Sequence, residues 1–474
     1  MNRRESFSIF PLALAGIAGL SLPGKAYGDV STFGGTPLAT QYLKKVREML
    51  QWIESTQSDS LMEAAYVIAK TVKNGGRCWS NWDMGHNFKY DIFPDRNGDP
   101  GIFTIGYNAD QSKRGDLFLV SLYGGSYDDM LKKDIFIIGG PAPHMASNKG
   151  YEELRDDVKS WNPRPYSNLW IETNVSRLGA IMDVPGSTVK AGPVSGIIGL
   201  TTFWMMIADA CRILARDGVI LNVHGDEPIL GGKETNYAWE RNKPINLNEP
   251  LMDDYLTELY DQLTMIEAEM GQISKVADMV VDTVLSGGRA YVYSRYRNSL
   301  AVESNTRRGG LSIFVGIFDG DEGSDFATSH AQIELQPLTS KDCVIMGITK
   351  PDDEVDLDNL DKFRKAGMKI ASIGPMTRDF YFPKGRTVPR ESDIHLGRMS
   401  DTYGLFVIPG YKRKVCPTSG ALNNQLFFAL SMEIIERFRE RTGGDIPGIF
   451  ANVAIKNGRP QMGHTIELYR ETGW

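Results

Sequence analysis

Cysteine is scarce in this chain. Cys78, Cys211, Cys343 and Cys416 are the only four in 474 residues. They are widely scattered, with no Cys-x-x-Cys and no Cys/His cluster. That spacing excludes a zinc module and a disulfide framework, and reads as small buried apolar side chains. A basic excess is also missing. Lys and Arg number 52 against 59 Asp and Glu, a net charge of −7. A general nucleic-acid surface needs a basic stripe, so that class is set aside. A local pocket for a small anion is still open. A long apolar run lies near the start of the chain, at residues 7–22. Arg3-Arg4 precedes it and Ala26-Tyr27-Gly28 follows. The expectation is a twin-arginine-like signal peptide cleaved after Gly28, with a periplasmic or secreted product and no membrane segment afterwards. A general secretory signal is the alternative.

What the chain does contain is a duplication. Gly75-Gly76-Arg77 closes one long helical stretch and Gly287-Gly288-Arg289 closes another. Val184-Pro185-Gly186 with Gly192-Pro193-Val194-Ser195 precedes one long apolar helix. Ile408-Pro409-Gly410 with Cys416-Pro417-Thr418-Ser419 precedes a second. The period is far longer than a solenoid unit, so whole domains are repeated. Domains are expected at 38–230 and 251–455, with a linker at 231–250 and an extension at 456–474.

Each half alternates helix and strand. Apolar positions at Leu43, Val46, Leu50, Ile53, Leu61, Ala64 and Ile68 predict a helix over 38–73. Strands are expected near 77–80, 101–105, 116–121, 135–138 and 180–184. In the second half they are expected near 290–294, 311–315, 342–346, 368–373 and 403–408. Continuously apolar strands separated by helices imply a parallel sheet covered on both faces. Ligands of such sheets sit beyond the carboxyl ends of the strands. The loops of interest therefore run from Ser80 through His86 and Asn87, from Ser121 to Ser126, from Ser294 to Ser299, and from Gly347 to Asp352.

The ordered series of Gly-Gly turn, Gly85-His86-Asn87, Gly115-Asp116, Ser121, Gly125-Ser126 and Gly192-Pro193-Val194-Ser195 resembles a SIS (sugar isomerase) domain. So does the second series of Asn298-Ser299, Glu303, Arg307-Arg308-Gly309-Gly310, Asp342 and Pro417-Thr418-Ser419. The resemblance implies α/β architecture: two flavodoxin-like three-layer αβα domains, each with a parallel sheet of about five strands. It implies binding of a sugar or sugar phosphate, and, in an enzyme, isomerase or lyase chemistry through Glu or His. Proton transfer between sugar carbons needs a base near the C–H and a donor near the oxygens.

Glu303 and His86 are accordingly the candidate acid/base pair. Asn87, Ser121, Ser126, Ser195, Arg295, Ser299 and Ser419 are candidate ligand contacts. Ser195 and Ser419 are also read as N-caps of their helices. Neither half carries the complete phosphate set, since the second loop of the second half reads Lys350-Pro351-Asp352-Asp353. The halves either share one composite site as an internal pseudo-dimer, able to assemble further as a homo-oligomer, or the ligand is not a sugar phosphate. The motifs call for no metal and no cofactor. A sugar-binding protein without catalysis is the competing class.

Overall fold

The computed structural model describes residues 36–80, 98–120, 127–140, 154–156, 163–175, 179–224, 245–295, 300–304, 307–318, 327–328, 336–375, 385–398 and 404–474. The first half opens with α1 (Leu38–Lys73), whose expected bounds are met, followed by β1 (Cys78–Ser80), β2 (Phe103–Ile105) and β3 (Leu117–Val120). Next come α2 (Tyr127–Lys132), β4 (Phe136–Gly139), β5 (Leu169–Trp170), β6 (Ala180–Met182), β7 (Ala191–Pro193) and α3 (Ser195–Arg216). The second half runs α4 (Met252–Ala268), α5 (Met270–Leu285), β8 (Ala290–Ser294), α6 (Leu300–Ser304), β9 (Phe314–Phe318), β10 (Ala327–Thr328) and β11 (Cys343–Gly347). It continues through α7 (Glu354–Lys365), β12 (Lys369–Pro375), α8 (Val388–Glu391), β13 (Ile394–Arg398), α9 (Ser419–Thr442) and α10 (Gly458–Thr472).

The first sheet is parallel in the order β2-β1-β3-β4-β5. The second has the same order, β9-β8-β11-β12-β13, with β10 added antiparallel at its edge. Counted within each half, both are the 2-1-3-4-5 order of a flavodoxin-like sheet. Side chains alternate between the faces, as pleating requires. Cys343 and Ile345 face the core shared by both halves, while Val344 and Met346 face an outer cluster with Leu360 and Phe363 of α7. In the first half Leu117 and Leu119 face inward, and Phe118 and Val120 meet Met130 of α2. Helices α1, α3, α4, α5 and α9 contribute to that one inner core. This explains why α3 is buried on all sides although it is apolar and long enough to cross a membrane.

The repeated Gly-Gly turns have a common cause. Gly75 and Gly287 adopt φ of +71° and +79°, a region that L side chains avoid. At the second glycine the backbone passes too close for a side chain. A Cβ on Gly76 would lie 2.3 Å from the Gly115 carbonyl, and one on Gly288 2.0 Å from that of Lys341. Asp116 and Asp342 lock the same turns by accepting the Arg77 and Arg289 amides at 2.9 and 2.8 Å. These aspartates belong to the scaffold.

Two strands are placed differently from expectation. Residues 180–184 do not close the first sheet. Ala180–Met182 instead pairs antiparallel with Ala191–Pro193 in a separate hairpin. The counterpart around 403–408 reduces to a bridge between Phe406 and Val415. The true sheet edges, β5 and β13, were not read from the sequence. An apolar alternating segment carries no mark of its partner, and the Pro-Gly turns at 185–186 and 409–410 fold both segments back on their own chain. All four cysteines are buried and unbridged.

The inner layer also holds a buried carboxyl group. Glu436 on α9 is buried, and burial pushes it from 4.5 up to about 7. Glu433 adds to the rise, whereas the Leu38 amide and Arg437 oppose it. A raised carboxyl pKa means that the folded protein keeps a proton which the unfolded chain releases. Stability from this group is therefore present below the ordinary pKa and declines as pH rises towards the folded value, by about 3 kcal/mol in all. Glu436→Gln is expected to remove that decline. Urea denaturation at pH 5 and pH 8 checks it: the variant should gain on wild type at pH 8 only.

Candidate functional site

The halves are laced together at matching turns. The Arg307-Arg308-Gly309-Gly310 turn of the second half docks on the hairpin of the first. The Gly192 amide donates to the Gly309 carbonyl at 3.1 Å, and the Gly309 amide to the Phe450 carbonyl at 2.7 Å. Gly309 has φ of +84°, and a Cβ there would sit 2.3 Å from that of Ala180. The reciprocal contact exists: the Cys416 amide donates to the Gly98 carbonyl at 3.0 Å. Gly192 and Cys416 hold the same left-handed conformation, with φ of +72° and +64°. Tyr42 of α1 donates to the Pro193 carbonyl at 2.6 Å, and Tyr255 of α4 to that of Pro417 at 3.1 Å. Each half thus braces its own segment before the long helix and hands it to the other half's turn.

Glu303 lies one turn before this seam, on α6. The helix starts where the Ser294 hydroxyl, at the end of β8, accepts the Ala301 amide at 2.9 Å. Glu303 is 1% exposed. Arg307 Nε donates to its Oε2 at 2.5 Å, and Nη2 meets Oε1 as well. This is an i, i+4 pair taken out of water, at a spacing legible in the sequence. As placed, the carboxylate is engaged by a guanidinium.

Arg295 follows β8 at the carboxyl edge of the second sheet. Its Nη1 donates to Asp353 Oδ2 at 2.7 Å. Asp353 caps α7, its Oδ1 accepting the Val355 and Asp356 amides at 3.0 and 3.2 Å. A helix N-terminus beside an arginine is where an anion would be held. Here the chain's own carboxylate occupies it. An Asp at a helix start is a cap signal that was readable in the sequence.

Ser195 and Ser419 are buried first residues of α3 and α9, not caps. The cap positions belong to Val194 and Thr418, and neither helix has a side-chain cap bond. Polar segments before these helices are instead secured by Tyr42 and Tyr255. His86, Asn87, Ser121, Ser126 and Ser299 lie outside the described residues, as does the signal segment and most of the expected linker. Half-open cavities of about 550 and 480 Å³ border the Gly-Gly turns. Both open at the amino ends of the strands, opposite the edge where the sheet topology places a ligand.

No protein-family model matches the chain. No curated protein matches it either. Among solved structures, the C-terminal domain of glucosamine-fructose-6-phosphate aminotransferase from Francisella tularensis is similar at 13% identity. The match covers 87% of this chain and 98% of that one, with a TM-score of 0.43. Tagatose-6-phosphate ketose/aldose isomerase from Escherichia coli is similar at 11% identity over 89% of this chain and 99% of that one, with a TM-score of 0.40. Both likenesses are distant, and the fold rests on the strand order itself.

Proposed function

We propose that this is an exported SIS-type protein that binds a sugar or sugar derivative where its halves meet. The observation that carries the reading is the crossed docking on the 180–193 hairpin of the 307–310 turn, whose Arg307 pairs with Glu303. Export is proposed from the twin-arginine-like segment. If the protein is an enzyme, it is an isomerase or lyase in which Glu303, once released from Arg307, and His86 move the proton. The buried Glu303–Arg307 pair favours the second reading, binding without turnover, because a carboxylate neutralised by a guanidinium is a poor base.

A panel of aldoses, ketoses, sugar acids and sugar phosphates tested by thermal shift would identify binders. Proton-exchange NMR on each binder then separates the readings. Exchange at the carbon next to the carbonyl supports an enzyme, whereas binding without exchange supports a sensor. No binder in the panel would sink the proposal.

Asp353 gives this reading a charge preference. Its carboxylate fills the start of α7 and neutralises Arg295, so unphosphorylated ligands are favoured at that loop. Asp353→Ser is expected to strengthen binding of a sugar phosphate about tenfold relative to the free sugar, the worth of one charge-assisted contact. Calorimetric titration of matched ligands checks the ratio.

A further inference from the structure

The larger of the two cavities, about 550 Å³, lies between the amino ends of β8 and β9 and the C-terminal helix α10. Arg289, Tyr291, Tyr469 and Arg470 line it, with Val284 and Val315 as apolar walls. The duplication supplies an internal control. In the first half, Arg77 Nη1 donates to Gln111 Oε1 at 3.0 Å and the guanidinium lies 5.6 Å over the Trp79 ring. Trp79 Nε1 in turn donates to Asp116 Oδ2 at 2.9 Å. That arrangement is closed on itself.

In the second half Tyr291 stands where Trp79 does, two residues after the Gly-Gly-Arg turn. Asp342 Oδ2 is already taken by the Thr339 amide at 2.8 Å and the Thr339 hydroxyl at 2.9 Å. The Tyr291 side chain is buried, and the polar group that reaches its hydroxyl is the Arg289 guanidinium, in looser geometry than a well-formed hydrogen bond. Arg289 lies beside it, and its charge offsets part of the rise that burial and Asp342 impose on the phenol. The same guanidinium acts on the Tyr469 hydroxyl. Among the described residues Arg289 pairs with no carboxylate. A buried phenol and the guanidinium beside it, which has no carboxylate partner among the described residues, border one cavity.

We propose that this cavity binds a small organic anion, with Arg289 and Tyr291 donating to its phosphate or carboxylate group and the valines and Tyr469 holding its body. The size suits a metabolite-sized ligand. Phosphate and carboxylate offer the same acceptor geometry to a guanidinium. The site is on the opposite edge from the proposed sugar site and stands independently of it.

The test uses the full chain, titrated calorimetrically at low ionic strength with inorganic phosphate and, separately, with succinate. Saturable binding of at least one probe is expected, and which one binds identifies the group. Arg289→Met should weaken it about tenfold or more, since a hydrogen bond to a charged group is worth about 1.5–3 kcal/mol. Tyr291→Phe, which keeps the ring, should weaken it about threefold, and decides the matter if Arg289→Met fails to fold. Arg77→Met should leave binding unchanged. No binding of either probe, or unaltered affinity in Tyr291→Phe, would overturn the site.

Discussion

Replacing Glu303 with glutamine is expected to cost the fold about 3–5 kcal/mol, a loss typical of leaving one member of a buried ion pair alone. Glu303 is 1% exposed and the Arg307 side chain 10%. Water therefore screens the pair little, and the substitution would leave the Arg307 charge buried without the Glu303 carboxylate. The double variant Glu303→Gln with Arg307→Met should recover much of the loss, because the stranded charge goes too. Chemical denaturation of the two variants beside the wild type measures this. An unchanged midpoint in Glu303→Gln would show that the pair contributes nothing to stability. The same variant sharpens the functional reading. If Glu303 is a base, solvent exchange into a bound sugar should vanish in Glu303→Gln while binding persists. If the residue only holds the seam, binding and stability should fall together.

Gly309→Val is the second large effect, expected at about 2–5 kcal/mol. Two costs combine. A left-handed φ penalises a side chain by roughly 1–2 kcal/mol, and overpacking a tight contact costs typically 1–3 kcal/mol. The contact here joins the two halves. The new Cβ would meet the Ala180 Cβ at 2.3 Å and the Lys190 carbonyl at 3.0 Å. Gly75→Val separates the two costs: that residue has φ of +71° with nothing near its Cβ position. Equal losses in the two variants would mean that the seam yields freely. A larger loss at Gly309, together with weaker ligand binding, supports a site that depends on the seam.

Much of this arrangement was legible in the residues. The duplication, the bounds of α1, the alternating strands and the Gly-Gly turns all follow from local rules. Left-handed backbone favours glycine, and a helix needs its apolar stripe. The fate of residues 180–184 was not legible. Their pattern suits a strand, but whether a strand joins the sheet or folds back on its own chain depends on its partner.

Local sequence thus determined most of the elements, their repetition and the alternating α/β class. Tertiary structure decided how the charged candidates stand. Glu303 is engaged by Arg307, and Arg295 by Asp353, 58 residues away. The physical reason is that a charge's role depends on what lies within a few ångströms of it and on how much water remains. A residue type announces the charge, but only packing determines whether it faces a ligand or another part of the chain.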